Sequence, residues 1–231
     1  MARIIGITGL AGAGKDTCAQ AMRAAYTEMG VAAALEGYAD PIRKIAYVMG
    51  LNPYDRKTKE RPLMFRVDHF CDVFQHGIDV VLAGRVSKDE RLRLYAYTMM
   101  ALSEVHGHIV ISPRGFMQIL GTEGGQRVRR TFWVDLAAER WDRMPGYVLV
   151  TDFRFMHELP PLDEVVCVIR KGTKRVNDHV SEDLADMLTQ QQPRYLEGQQ
   201  VFYIHNDRTQ RKFEKRSARY AEQTHKTRNP E

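Results

Sequence analysis

The sequence predicts a three-layer α/β/α fold around a mostly parallel, five-stranded sheet, with a helical insertion in the middle of the chain. Three observations predict it. The chain opens as strand, glycine-rich turn, helix and strand, which is one βαβ unit and implies parallel pairing with a right-handed crossover. Short apolar runs rich in β-branched and aromatic residues return only late, at Tyr147 to Thr151, Glu164 to Ile169 and Gln200 to Ile204. Between these two regions, from about Asn52 to His108, charged and apolar residues alternate at helical spacing with no clear strand signal.

The first strand is Ile4 to Thr8, a β-branched run that closes on glycines. Ala19, Met22, Tyr26 and Met29 recur at helical spacing after Lys15, and Gly30 is a helix stop. Val31 to Tyr38 reads as the second strand. Asp40 and Pro41 read as the N-cap and first position of the next helix. Ser112-Pro113 opens a helix over Arg114 to Leu120 that Gly121 ends, and Gly124-Gly125 marks a flexible loop. Thr131 to Met144 is helical, with Phe132, Leu136 and Trp141 on one face, and a last helix starts near Arg208. The whole reads as one domain, with a core at about 1–50 and 145–231 and an insertion at about 51–144.

Composition bounds the function. With 231 residues, 44% hydrophobic and 27% charged, the chain can bury a sizeable core. The formal net charge of +5 suits a polyanionic partner. Much of the excess lies between Asn206 and Glu231, with eight Lys/Arg against four Asp/Glu. That tail is either a solvated helix with a frayed end or a nucleic-acid contact. Cys18, Cys71 and Cys167 show neither disulfide nor zinc spacing, so a reducing cytoplasm is expected. No run of about 18 apolar residues reads as a membrane span, and the N-terminus does not read as a signal peptide.

Residues 9 to 17 read G-L-A-G-A-G-K-D-T, between the first strand and the first helix. Gly9, Gly12, Ala13 and Gly14 let main-chain N–H groups turn inward around phosphate oxygens, and the helix N-terminus adds partial positive charge. Lys15 can reach β- and γ-phosphates, and Thr17 can offer its hydroxyl to a phosphate or to Mg²⁺. Asp16 displaces the usual hydroxyl residue by one, a spacing that resembles nucleoside monophosphate kinases rather than motor ATPases or GTPases. Asp16 either orders metal-bound water or caps the helix. The donor implied is ATP with Mg²⁺.

Phosphoryl transfer needs positioned cations more than covalent chemistry, so arginines should converge on the second substrate. The candidates are Arg43, Arg114, Arg127, Arg129, Arg130 and Arg154. Arg154 stands two residues past Asp152, at the carboxyl end of a strand, where ligands of open α/β sheets bind. Asp152 is a candidate ligand of Mg²⁺ or its water, or else a turn residue. Arg154 either serves phosphate or pairs with Glu158 as scaffold. Arg114 and Gln118 share a helix face, suited to one phosphate and one base edge, or merely exposed. Trp133 either stacks on a base or lies in the core.

Five stretches in order resemble the bacteriophage deoxynucleoside monophosphate kinase family. They are G-L-A-G-A-G-K-D-T, A-D-P at 39–41, S-P-R-G-F-M-Q-I-L-G-T-E at 112–123, T-D-F-R-F-M-H-E at 151–158 and H-V-S-E at 179–182. The resemblance implies an adenylate-kinase-like fold with a mobile lid, and the reaction ATP + dNMP giving ADP + dNDP with Mg²⁺. It assigns Lys15, Asp16 and Thr17 to ATP and its metal. Arg114, Gln118, Gly121, Thr122 and Trp133 fall to the acceptor pocket, with Asp40 and Arg43 as further acceptor-side candidates. Asp152, Arg154 and Glu158 fall to the junction of the two phosphates, and Arg127, Arg129 and Arg130 to lid or acceptor. It implies a small-molecule partner, no stable nucleic-acid complex and no membrane, in a cytoplasm that is the host's for a phage-encoded chain; monomer and homodimer both remain open. The rivals are a kinase resembling dephospho-coenzyme A kinase, a nucleic-acid-stimulated ATPase using the basic tail, and a non-catalytic nucleotide-binding regulator.

Overall fold

The computed structural model describes residues 2–55, 57–175 and 183–228; the H-V-S-E stretch lies outside the described residues. The chain forms two compact units. One runs from the chain start to Tyr38 and resumes at Ala137; the other is Ala39–Leu136.

The first unit is built on a six-stranded sheet. Its strands are β1 (Arg3–Thr8), β2 (Ala33–Glu36), β6 (Tyr147–Val150), β7 (Glu164–Ile169), β8 (Tyr195–Leu196) and β9 (Gln199–His205), in the order β2-β6-β1-β7-β9-β8. Five strands run parallel, and β8 adds a short antiparallel edge that the sequence reading lacked. The central strands are buried on both faces, which is why they read as continuous apolar runs rather than alternating ones. Ile5, Ile7, Leu149, Val166 and Val168 face α1 (Lys15–Glu28) and α8 (Gln210–Arg228). On the opposite face Gly6 lies against Phe153 and Leu162, and the Cys167 thiol meets Thr189 of α7 (Asp183–Gln191). These are the three expected layers. The basic helix α8 is more than a solvated tail, since Phe213, Ser217 and Ala221 are buried along one stripe.

The second unit holds α2 (Asp40–Val48), α3 (Val67–Leu82), α4 (Lys88–Ala101) and α5 (Pro113–Ile119), and the chain leaves it within α6 (Phe132–Trp141). It also holds a small antiparallel sheet of β3 (Leu63–Arg66), β4 (Glu104–Val105) and β5 (His108–Ile111), in the order β3-β5-β4. The expectation of a strandless insertion is corrected here. Strands of two to four residues carry no readable period, and the β4–β5 hairpin turns on His106 and Gly107, both at positive φ. Phe70, Phe74 and Phe116 form the aromatic centre of the core, with edge-on ring pairs at 6.0 and 5.3 Å.

Two local expectations also change. Asp40 is the first residue of α2, not its N-cap, and its carboxylate turns to Arg43 at 2.6 Å. Gly121 does not end α5: the helix widens into a π-helical turn over Leu120–Gln126. Gly124 and Gly125 are not a flexible loop but buried packing positions. A Cβ at Gly124 would lie 2.3 Å from Thr98 Oγ1, and one at Gly125 would lie 2.1 Å from Trp133 Nε1. Glycine is there because neighbouring side chains press onto the main chain.

Candidate active site

β1 lies between β6 and β7, so the chain reverses its winding at the carboxyl end of β1, where open α/β sheets form their ligand crevice. Residues 9–14 fill this position. Gly14 precedes α1 at φ 107°, and a Cβ there would approach Asn206 Nδ2 to 2.8 Å. The first helical bond runs from the Cys18 N–H to the Gly14 carbonyl at 2.9 Å. Amides earlier in a helix have no acceptor within it, and no side chain caps this one, so its N-terminus is a cradle for an anion. Lys15 Nζ donates to the carbonyls of Gly9 at 2.8 Å and Leu10 at 3.3 Å, which folds the ammonium over the loop it follows. Asp16 is exposed in the first turn of the helix.

Two further residues brace this loop that the sequence reading missed. Asn206 Nδ2 donates to the Ala13 carbonyl at 2.8 Å, and Arg170 Nη1 donates to the Gly12 carbonyl at 3.2 Å. Each is the first residue past a strand, β9 and β7 respectively. The rule that singled out Arg154 after β6 also applied to them. Cys18 and Cys167 flank the loop, and burial pushes their thiols up to about 11 and about 12. Neither is a thiolate nucleophile at neutral pH.

At the end of β6, Asp152 Oδ1 accepts the Tyr38 N–H at 2.9 Å. Arg154 is exposed, and its main-chain N–H, not its guanidinium, reaches Glu158 Oε2 at 2.7 Å. Phe155 N–H donates to the same oxygen at 3.0 Å. Glu158 is only 8% exposed, and its carboxyl holds the loop together through these two amides. Burial pushes its carboxyl up to about 8, against the two amide donors that favour the charged form; the nearby Asp152 charge adds to the rise.

That shift has a consequence for stability. The folded state keeps its proton on Glu158 where the unfolded state loses it, so this contribution is complete below about pH 4.5 and fades as pH rises to about 8. Glu158→Gln should therefore gain on the wild type across that interval, by a few kcal/mol at most. Urea midpoints of both proteins at about pH 5 and above pH 8 check this; equal differences at the two values would contradict it.

The remaining predicted residues lie in the second unit. Arg114, exposed at the start of α5, pairs with Glu60 at 2.7 Å, and Ser112 caps that helix by accepting the Gly115 N–H at 3.1 Å. Gln118 is exposed, one turn along the same helix. Thr122 Oγ1 donates to the Gln118 carbonyl at 2.8 Å. Arg127 stacks over Tyr97 at 4.7 Å, Arg129 pairs with Glu90 and Asp135, and Arg130 is exposed. Trp133 takes the core placement: it is 6% exposed, and its indole N–H donates to the Gly121 carbonyl at 3.0 Å. The π-helical turn that receives this bond contains the G-T-E of the S-P-R motif.

Among the described residues no group of three His, Cys, Asp or Glu could hold a metal. A Mg²⁺ bound chiefly through substrate phosphates needs only one or two protein oxygens, and the Thr17 hydroxyl with the Asp152 carboxylate fits that donor set. No helix among the described residues is long and apolar enough to cross a membrane.

A search among curated proteins found no match. A family model described as deoxynucleotide monophosphate kinase matches residues 3–191, a span that contains the glycine loop, the S-P-R motif and the Asp152–Glu158 segment. The chain is a phosphotransferase acting on nucleotide monophosphates, and it belongs to the deoxynucleotide monophosphate kinase family.

Proposed function

We propose that the donor is ATP, taken with Mg²⁺, and that its terminal phosphates lie on the loop from Gly9 to Thr17. The observation that supports this most is the Lys15 ammonium, folded onto the Gly9 and Leu10 carbonyls at the mouth of an uncapped helix N-terminus. Such a cation is held over an anion cradle and can exchange two carbonyl oxygens for phosphate oxygens. Asn206 and Arg170 keep the cradle's main chain in shape. Thr17 and Asp152 would hold the metal, which when bound neutralises charge on the β- and γ-phosphate oxygens.

The acceptor is assigned to the second unit. Arg43 and Arg114 each carry a carboxylate partner, Asp40 and Glu60 respectively. An acceptor phosphate replaces such a partner with a more highly charged one. Gln118, one turn beyond Arg114, is placed to read a base edge, and Asp40, Gly121, Thr122, Arg127 and Arg130 complete the acceptor side. Arg154 serves the transferred group. The acceptor phosphate is already an anion, so in-line attack needs no strong side-chain base. Three free cysteines suit a reducing cytoplasm, the host's if the chain is phage-encoded.

ADP release, measured against the four deoxynucleoside monophosphates, their ribose counterparts and dephospho-coenzyme A, tests this reading. Release should depend on at least one deoxynucleotide and not on dephospho-coenzyme A. ATP turnover that responds to DNA or RNA, and to no monophosphate, would overturn it.

A further inference from the structure

The segment from Thr151 to Phe155 leaves β6 without regular structure before a short 3₁₀ turn at Met156–Glu158. Hydrogen bonds from Tyr38 and Glu158 nevertheless hold it and the turn that follows. The Tyr38 N–H holds Asp152 Oδ1 at 2.9 Å, and the Tyr38 hydroxyl donates to the Glu158 main-chain carbonyl. The Glu158 carboxyl accepts the N–H groups of Arg154 and Phe155 at 2.7 and 3.0 Å. Tyr38 is 3% exposed and its ring lies 4.9 Å from Trp141, so the clamp has a packed base.

We propose that Tyr38 and Glu158 are positioning residues for phosphoryl transfer: they lock the Asp152 carboxylate and the Arg154 main chain at the end of β6 and touch neither nucleotide. This rests on the reading that Asp152 and Arg154 serve the phosphates. The clamp acts at two points. It fixes one oxygen of Asp152, and so the direction in which that carboxylate faces. It also fixes the main chain at Arg154, from which the guanidinium extends. The side chains that face Glu158 are Asp152 and Arg154 from its own loop and Tyr38 from beyond β2. A carboxyl group so placed is spent on main-chain amides, not on substrate. An error of about 1 Å in such a support costs on the order of a hundredfold in rate without any loss of binding groups.

The test uses the full chain with Glu158→Ala, Glu158→Gln and Tyr38→Phe, comparing kcat, the Kd for ATP and the Mg²⁺ concentration at half-maximal rate. Glu158→Ala should lower kcat by roughly thirtyfold or more, with the Kd for ATP moved by less than about threefold. Glu158→Gln, whose amide oxygen can accept the same two N–H groups, should recover kcat to within about fivefold of wild type. Tyr38→Phe, which loses the hydroxyl bond to the Glu158 carbonyl but keeps the main-chain N–H on Asp152, should lower kcat by roughly fivefold and leave the Mg²⁺ requirement unchanged. A folded Gln variant as slow as the Ala variant would overturn the proposal, because the charge itself would then be needed. An Ala variant of normal kcat would overturn it equally. If the Ala variant does not fold, Tyr38→Phe decides, and an unchanged kcat would overturn the clamp. Absence of turnover in the wild type would strike the underlying reading instead.

Discussion

Lys15→Ala is expected to lower kcat by about a hundred- to a thousandfold while the protein stays folded. The Lys15 ammonium takes part in the loop's own hydrogen bonding. It holds two loop carbonyls, Gly9 and Leu10, and lies outside the apolar core packed beneath the loop. Losing those bonds changes stability by about 1 kcal/mol, because solvent can replace them. Losing the same ammonium from the transferring phosphoryl group removes a preorganised charge in a site where charge is spread over several oxygens, and nothing else in the glycine loop carries a full positive charge. Single-turnover transfer at saturating ATP, beside a thermal melt, separates the two effects. A near-normal rate in a folded variant would place the donor elsewhere.

Arg154→Ala should reduce kcat by roughly a hundredfold, and Arg154→Lys should restore only part of it. The side chain is exposed, so truncation should move stability by less than about 0.5 kcal/mol. Its main-chain N–H, which closes the loop on Glu158, is untouched by either substitution. The effect is therefore confined to the guanidinium, whose planar fork matches phosphate oxygens as an ammonium does not. Rates for the three proteins with the preferred deoxynucleotide check this. Equal kcat in Arg and Lys forms would show that point charge suffices, and equal kcat in all three would remove Arg154 from the reaction.

The first unit was legible because its signals are strong and local. A β-branched run that closes on glycines and a lysine leaves few alternatives for β1 and α1. β7 and β9 are apolar enough to be read without knowledge of their neighbours. The second unit was less legible for physical reasons. Its sheet rests on strands of at most four residues, stabilised by pairing across a hairpin rather than by any pattern along the chain. Gly124 and Gly125 read as a loop, because sequence records the missing side chain but not the Thr98 and Trp133 side chains that fill its space. Glu158 is assigned to the phosphates by the family resemblance alone, while residue type offers it only as a partner for Arg154. The fold turns it to amides three and four residues earlier, a local bond that residue type alone does not reveal. Asn206 and Arg170, like Asp152 and Arg154, stand just past the carboxyl ends of strands, and this position is their one signal in the sequence.

A crystal structure with a bisubstrate analogue that links adenosine to a deoxynucleotide through a phosphate chain shows directly where the donor's phosphates lie. The phosphates of the adenosine half should lie on the amides of the loop from Gly9 to Thr17. Lys15 Nζ should then have left the Gly9 and Leu10 carbonyls for phosphate oxygens. An analogue bound elsewhere, with Lys15 still on those two carbonyls, would contradict it.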